Sequence, residues 1–400
     1  MTVLTNSNVK SGKTMYKVLL VDTNFSSAPI YNYLVQSGFE VFVVGGNPND
    51  FLAKSAKNYI NMDYSNIDRT RELIEKMNID YIVPGCNDLS YKVCATLNSE
   101  RKYRGLDTLE TTEIINSKDK FRTFAAQIGL QVPRVISGEH VGEMWPVIVK
   151  PVDAYSGRGM TIVHKPEQHE LQPAIGRAKE FSRSKKYIIE EYVQGQLYSH
   201  SAFITDGNIV TDFIVEEHGT ANPFVVDTSR VIYDFPLEML SRIRDGIALL
   251  AKKLNLVDGL VHTQFIKNGE SFWFIEVTRR CPGDLYSQLI ELSTGFSYAE
   301  TYARPFVKQK FSFGKNTLKQ SWVMRHTISQ PTEGVLGSIQ FKFPILIEKM
   351  VPISLAGDMI KASPFGRIAL MFVRNNSEEE LLELFQKTLN KSLYTIQETH

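Results

Sequence analysis

The sequence predicts an α/β protein of more than one domain. Strand and helix patterns alternate near the start, two glycine-turned strand pairs follow, and the 400-residue length exceeds the usual size of a single core. Short apolar runs at KVLLVD (17–22) and FEVFVV (39–44) are buried-strand signals, with a helical stretch, Ala28–Gln36, and the breaker Gly38 between them. The pattern repeats with a strand near 59–62, a helix over 66–77, the strand DYIVP (80–84) and a helix over 89–97. Such alternation predicts a parallel sheet with helices on its faces. The first strand-to-helix turn, VDTNFSSAP, lacks the G-x-G-x-x-G that brings pyrophosphate to a helix terminus, so a dinucleotide is not expected. Asn24, Ser26, Ser27, Asn87 and Asp88 lie where a ligand would meet such a sheet, but all are types that cap helices and close turns, and Asp88 reads as an N-cap.

The segment PVIVKPVDAYSGRGMTIV (146–163) places Lys150 at the end of an apolar strand, followed by Ser156, Gly157, Arg158 and Gly159 and then a second strand. Glycines let backbone N–H groups turn toward an anion, and Lys and Arg neutralise its charge. The loop is a phosphate-cradle candidate, though not a Walker loop, since no Gly-Lys-Ser/Thr closes it and a strand follows. A plain hairpin carries the same pattern.

Further on, Leu240, Ile243, Ile247, Leu250 and Leu254 recur at helical spacing and form scaffolding. The preceding stretch, EEHGTANPFVVDTSRVIYDFP (216–236), has no period and reads as a mobile loop from which Arg230 could reach a substrate carboxylate. LVHTQFIKNGESFWFIEVTRRCPGD (260–284) reads as two strands flanking a turn, each with an oxygen ligand, Gln264 and Glu276. A three-residue loop of Asn268, Gly269 and Glu270 would set Gln264 opposite Phe274 and His262 opposite Glu276, with Thr278 on the same face beside Arg280. Hard oxygen ligands of this kind suit Mg²⁺ completed by substrate phosphates, and an amphipathic hairpin with a polar outer face fits as well. SWVMRHTI (321–328) reads as a strand with Arg325 and His326 on opposite faces, which makes Arg325 a candidate carboxylate anchor or a structural ion pair. GRIALMFVRN (366–375) and a helix capped at Ser377, with Glu380 three residues on, complete the chain. His164 and His262 are lone histidines in strand contexts.

A net charge of +1 without a basic tract argues against nucleic acid as the partner, and no apolar run approaches the roughly 20 residues of a membrane span. Cys86, Cys94 and Cys281, odd in number and without metal spacing, read as free thiols of a cytoplasmic protein.

The lysine, the glycine loop and the paired strands stand in a familiar order, and from Tyr16 onward the chain resembles the ATP-grasp superfamily, particularly its carboxylate-amine ligase and carbamoyl-phosphate-synthase-like branches. The resemblance implies an α/β fold, α+β in the ATP-grasp part. It implies a disordered leader at 1–15, a parallel-sheet preATP-grasp domain at 16–115, an ATP-grasp domain at 116–310 with lobes of about 116–190 and 191–310, and a small C-terminal α+β module at 311–400. Lys120 and Lys150 resemble the family's two phosphate-binding lysines. In YIIEEYVQGQLYS (187–199) Glu190 precedes the hinge, where backbone groups of Glu191 and Val193 would meet adenine. The metal positions read Gln264, Glu276 and Thr278, followed by Arg280 as the catalytic residue. Leu197 stands where a ribose-binding Glu is usual, Thr278 where Asn is usual, and Gln264 where Glu is commoner.

The activity this implies is ATP-dependent joining of a carboxylate to an amine through an acyl phosphate, with ATP and Mg²⁺ (or Mn²⁺) as cofactors and small molecules as partners. A bicarbonate- or carbamate-activating enzyme and a catalytically degenerate nucleotide-binding protein are the alternatives. Relatives dimerise through their N-terminal or ATP-grasp domains, so a homodimer is the assembly the resemblance allows.

Overall fold

A computed structural model describes residues 15–99, 102–136, 144–154, 157–164, 168–311 and 318–398. The N-terminal unit is built from β1 (Lys17–Val21), α1 (Ala28–Gln36), β2 (Glu40–Gly45), α2 (Phe51–Ser55), β3 (Asn58–Asn61), α3 (Ile67–Met77), β4 (Tyr81–Pro84) and α4 (Asp88–Leu97). Its four strands pair in the order β3-β2-β1-β4, all parallel, as the alternation of the sequence predicts. The apolar runs fill both faces: Val18, Leu19, Leu20 and Val21 are all fully buried. Asn24 accepts from Ser26 N and Asn87 from Ser90 N, so both serve local caps. Asn87, not Asp88, is the N-cap of α4, which leaves the buried Asp88 carboxylate for another purpose.

Helices α5 (Leu109–Asn116) and α6 (Lys118–Gln127) lead into a small three-stranded sheet, ordered β6-β5-β7, of β5 (Val147–Pro151), β6 (Thr161–Val163) and β7 (Tyr187–Glu191), with α7 (Gln168–Phe181) packed on it. The next elements are β8 (Gln196–Thr205), β9 (Asn208–His218), β10 (Thr228–Ile232), α8 (Leu237–Leu254), β11 (Gly259–Asn268), β12 (Ser271–Thr278), α9 (Tyr286–Thr294) and α10 (Tyr298–Ala303). The expected apolar stripe of α8 is confirmed, with Ile243, Ile247 and Leu250 buried beneath the sheet.

The C-terminal elements are β13 (Trp322–Ile328), β14 (Gly334–Phe341), β15 (Ile347–Pro352), β16 (Met359–Ile360), β17 (Ala369–Asn375), α11 (Glu378–Leu389) and β18 (Tyr394–Glu398). Ser377 caps α11 through Glu380 N. Strands from both sides of residue 311 share one eight-stranded sheet, ordered β12-β11-β8-β9-β10-β13-β17-β15. One apolar core runs from the N-terminal strands through Tyr298 and Phe306 to Leu370 and Phe372. The 216–236 stretch read as a mobile loop instead includes the end of β9, a connection and β10, because Val231 and Phe235 have core positions to fill.

Candidate active site

The hairpin that carries the oxygen ligands differs from its expected form in a way that strengthens it. The turn has two residues, Gly269 (φ +56°) and Glu270, and Asn268 pairs with Ser271. By itself that register would place Gln264 and Glu276 on opposite faces. A β-bulge between Gln264 and Phe265 shifts it by one, so Gln264 pairs directly with Glu276 and His262 with Thr278. Cross-strand partners share a face, so Glu276, Gln264, Ser199, Leu197, Glu217, Ser229 and Arg325 form a continuous row across β12, β11, β8, β9, β10 and β13.

Within this row Gln264 Nε2 donates to Glu217 Oε2 at 2.7 Å. Burial pushes the Glu217 carboxyl up, opposed by hydrogen bonds from Ser199 and Gln264 and by the charge of Arg325. Glu217 was not singled out by sequence because it lies in the stretch read as a loop. His262 holds Ser201 Oγ through Nδ1 at 2.8 Å, and burial keeps its imidazole well below the usual range, so it is neutral. Among the described residues no three His, Cys, Asp or Glu side chains converge on one point, so a cation here would take further ligands from substrate.

Lys150, at the end of β5, lies in a buried ion cluster. Its Nζ is 2.7 Å from Glu190 Oε2, and Arg122 Nε, from α6, is 2.6 Å from Glu190 Oε1. Arg122 Nη2 also donates to Ile275 O at 2.7 Å, tying α6 to the strand of Glu276. Burial favours the neutral acid, but Lys150 and Arg122 outweigh it and hold Glu190 below the usual carboxylate range. Burial likewise lowers the Lys150 pKa, against the pull of Glu190. Glu190 is therefore the counter-ion of the phosphate lysine candidate, and Arg122, absent from the sequence reading, is its second partner.

Gly157 (φ +67°) and Gly159 (φ +72°) both adopt the left-handed region that favours glycine, and a Cβ on Gly157 would lie 2.7 Å from Phe224 O. Arg158 between them is exposed. Ser156 lies outside the described residues. In the hinge, Glu191 N donates to Arg134 O and Tyr192 N to Pro146 O, while the Glu191 carboxylate pairs with Arg134. Val193 lies two residues beyond the end of β7.

Lys120 is exposed and pairs with Glu113 at 2.9 Å. Lys118, two residues earlier, lines a small cleft with Asp88, Asn116, Phe121 and Glu276. Lys118 is thus the lysine that lines the cleft with Glu276, its Nζ donating to Ala154 O at 2.8 Å, while Lys120 lies exposed on α6.

Arg280 is gripped by Asp88 of the N-terminal unit, Nε to Oδ1 and Nη2 to Oδ2, each 3.1 Å. Burial alone would lower the pKa of the guanidinium; the Asp88 charge outweighs it and raises it. Thr278 Oγ1 donates to Asp88 Oδ1 at 3.2 Å and accepts from Arg280 N at 3.3 Å. The Thr278 hydroxyl therefore braces the Arg280 clamp.

At the other end of the row, Arg325 is 3% exposed. It donates to Asp284 O at 3.0 Å and to Ser229 Oγ at 2.8 Å, while Arg367 pairs with the Asp284 carboxylate. His326 faces the opposite side, against Thr228 and Tyr394, as alternation requires. Arg230 is not in a loop: it sits on β10, ion-paired to Glu216 at 2.7 Å and stacked over Phe385 of α11. Arg325 lies in the row, whereas Arg230, next to Ser229 on β10, faces the other side of the sheet.

A small sheet with a glycine-turned loop and a large sheet with paired oxygen side chains form the arrangement that the resemblance implies. Residues 143–288 match the ATP-grasp domain, and the chain carries that domain. It is 25% identical over 235 residues to the carbamoyl phosphate synthase large chain of Saccharolobus solfataricus, a match covering 54% of this chain and 22% of that protein. The chain thus spans about a fifth of that relative's length. Among solved structures, the L-amino acid ligase of Bacillus licheniformis superposes with a TM-score of 0.79 at 17% identity, covering 97% of this chain and 100% of the other. Phosphoribosylglycinamide synthetase of Anaerococcus prevotii gives 0.74 at 17% identity, covering 96% and 100%. The biotin carboxylase domain of the Hydrogenobacter thermophilus 2-oxoglutarate carboxylase, solved with MgADP, ADP and bicarbonate, gives 0.75 at 14% identity, covering 97% and 92%. At these identities the likeness is one of fold. No helix among the described residues is long and apolar enough to cross a membrane.

Proposed function

We propose that this protein is an ATP-dependent ligase that joins a carboxylate to an amine and releases ADP and phosphate. The observation that carries the reading is the direct Gln264–Glu276 pairing, with Glu276, Lys118 and Asp88 lining one small cleft and Asp88 clamping Arg280. The paired oxygen side chains fit a divalent cation: Gln264 gives its Nε2 to Glu217, and its Oε1 takes no hydrogen bond from any described residue. Mg²⁺ held by Gln264 and Glu276 would neutralise phosphate charge when bound.

In this reading the Glu191 carbonyl and Val193 amide meet the adenine edge, and Lys150, Lys118, Gly157, Arg158 and Gly159 hold the phosphates. The substrate carboxylate oxygen attacks the γ-phosphorus, the bond to the β-phosphate oxygen breaks, and ADP leaves. Two anions approach in this step, so cationic donors fixed in advance lower the barrier. Arg280 supplies one, and Asp88 holds it in place without reorganisation. The amine then attacks the acyl carbon, phosphate leaves with the C–O bonding pair, and the amine proton passes to phosphate or solvent. Arg325 anchors a carboxylate of one substrate.

Activation of bicarbonate is the second reading, favoured by the sequence match to a carbamoyl phosphate synthase. ADP release from Mg·ATP against pooled amino acids and small carboxylates, with and without bicarbonate, tests both. Release that needs an amine and a carboxylate and vanishes in Glu276→Ala supports the ligase; release that needs bicarbonate alone supports the second reading. A Lys118→Met protein that loses turnover beside an active Lys120→Met would support the lysine assignment, and the opposite pattern would reverse it.

A further inference from the structure

We infer that Glu217 is a positioning residue that fixes which end of the Gln264 amide faces the cation site; this rests on the metal–nucleotide reading above. A glutamine offers a carbonyl oxygen and an NH₂ group that rotation about one bond exchanges, and only the oxygen can ligate a hard cation. Something must therefore choose the rotamer. Glu217 is 4% exposed and accepts from Gln264 Nε2 at 2.7 Å. The Ser199 hydroxyl and the Gln264 amide bond to its carboxyl group, and the charges of Arg325 and Glu276 lie nearby with opposite effects. Such a group accepts hydrogen bonds, so it draws the NH₂ end of Gln264 to itself and turns Oε1 the other way.

The sheet explains why the pair is possible. Glu217 pairs with Leu197 and Gln264 with Ser199 on the two sides of β8 and on one face, and the two long side chains meet over that strand. A glutamate at position 264 would need no such selection, because both its oxygens ligate equally well, and it would face the Glu217 carboxylate with like charge. Gln264 and Glu217 are thus one unit: the amide lowers the negative charge of the site, and the carboxylate directs it.

The test is a double-mutant cycle read by Mn²⁺ affinity, from the EPR signal of free Mn²⁺ with a non-hydrolysable ATP analogue present. In the wild-type background Glu217→Gln should weaken Mn²⁺ binding about tenfold, the scale seen when a partner that orients a metal ligand is removed. In a Gln264→Glu background the same Glu217→Gln change should weaken it by less than twofold or tighten it, since the amide introduced on β9 would then donate to the carboxylate introduced on β11. An equal loss in both backgrounds would overturn the inference and leave Glu217 a merely structural residue, as would wild-type affinity in the Glu217→Gln single variant. A wild-type protein that binds neither Mn²⁺ nor the analogue would overturn the metal–nucleotide reading and this inference together.

Discussion

Replacing Glu190 with glutamine removes the carboxylate shared by Arg122 and Lys150 and leaves two buried cations facing an amide. Glu190 is fully buried, and the Lys150 and Arg122 side chains are 6% and 1% exposed, so water cannot substitute for the lost charge. Breaking one buried pair costs about 3–5 kcal/mol, and two pairs sharing one acid do not add, so about 5 kcal/mol is expected. For a cooperative unit of 150–250 residues each kcal/mol moves Tm by about 2–4 °C, which gives a fall of about 10–20 °C by calorimetry. The pH dependence carries its own sign. Glu190 is held below the usual range, so its contribution is complete above the unfolded carboxyl pKa and is lost as pH falls through the folded value. The gap between wild type and variant should therefore narrow below about pH 4. Mg·ATP should restore part of the loss, because phosphates beside Lys150 supply the missing negative charge. A Glu190→Gln protein melting within about 2 °C of wild type would refute the view that this cluster is held together by its acid.

Three further outcomes are expected. Asp88→Asn should keep nucleotide affinity, measured by fluorescence titration, but lose about a hundredfold in kcat, the effect of misplacing one catalytic group by about 1 Å; unchanged kcat would free Arg280 from its clamp. Gly157→Ala meets both a left-handed φ and Phe224 O at 2.7 Å, so KM for ATP should rise several-fold while the substituted loop costs about 1–2 kcal/mol, and an unaltered KM would remove the loop from the phosphate site. Burial pushes the Glu291 carboxyl on α9 up to about 7 from 4.5, so stability should fall by at most about 3 kcal/mol as pH rises from 4.5 through 7. Glu291→Gln should flatten that slope in pH-dependent melting curves, and an unchanged slope would assign it to another group.

Much of the N-terminal sheet was legible because its strands are continuous apolar runs with breakers at their ends, which leaves little choice of element. The paired-strand site was legible in composition but not in register. No residue type marks the bulge between Gln264 and Phe265, which leaves Ile275 of β12 without a partner. Lys120 came from the family pattern alone, and Lys118 was not considered; only the direction of α6 puts Lys118 at the cleft with Glu276 and pairs Lys120 with Glu113. The roles of Asp88, Arg122 and Glu217 share one reason for escaping notice. Each acts on a residue distant in sequence, 192 positions away for Asp88 and Arg280, and a single sequence holds no signal for that pairing. Arg230 misled for the opposite reason: glycine, proline and polar residues near it suggested a loop, and the apolar residues that made it a strand were too few to show a period.

The polar row across the large sheet also acts as a ruler. Gln264 on β11 and Arg325 on β13 are separated by β8, β9 and β10, four interstrand steps or about 19 Å of backbone. Hydrogen bonds between neighbouring strands set that length, so changes of side chain along the row leave it almost untouched. A molecule held at both ends must therefore match a span quantised in units of one strand, and a change in the size of substrate would have to come from the reach of side chains at the ends and from the loops above, not from adjustment of the sheet itself.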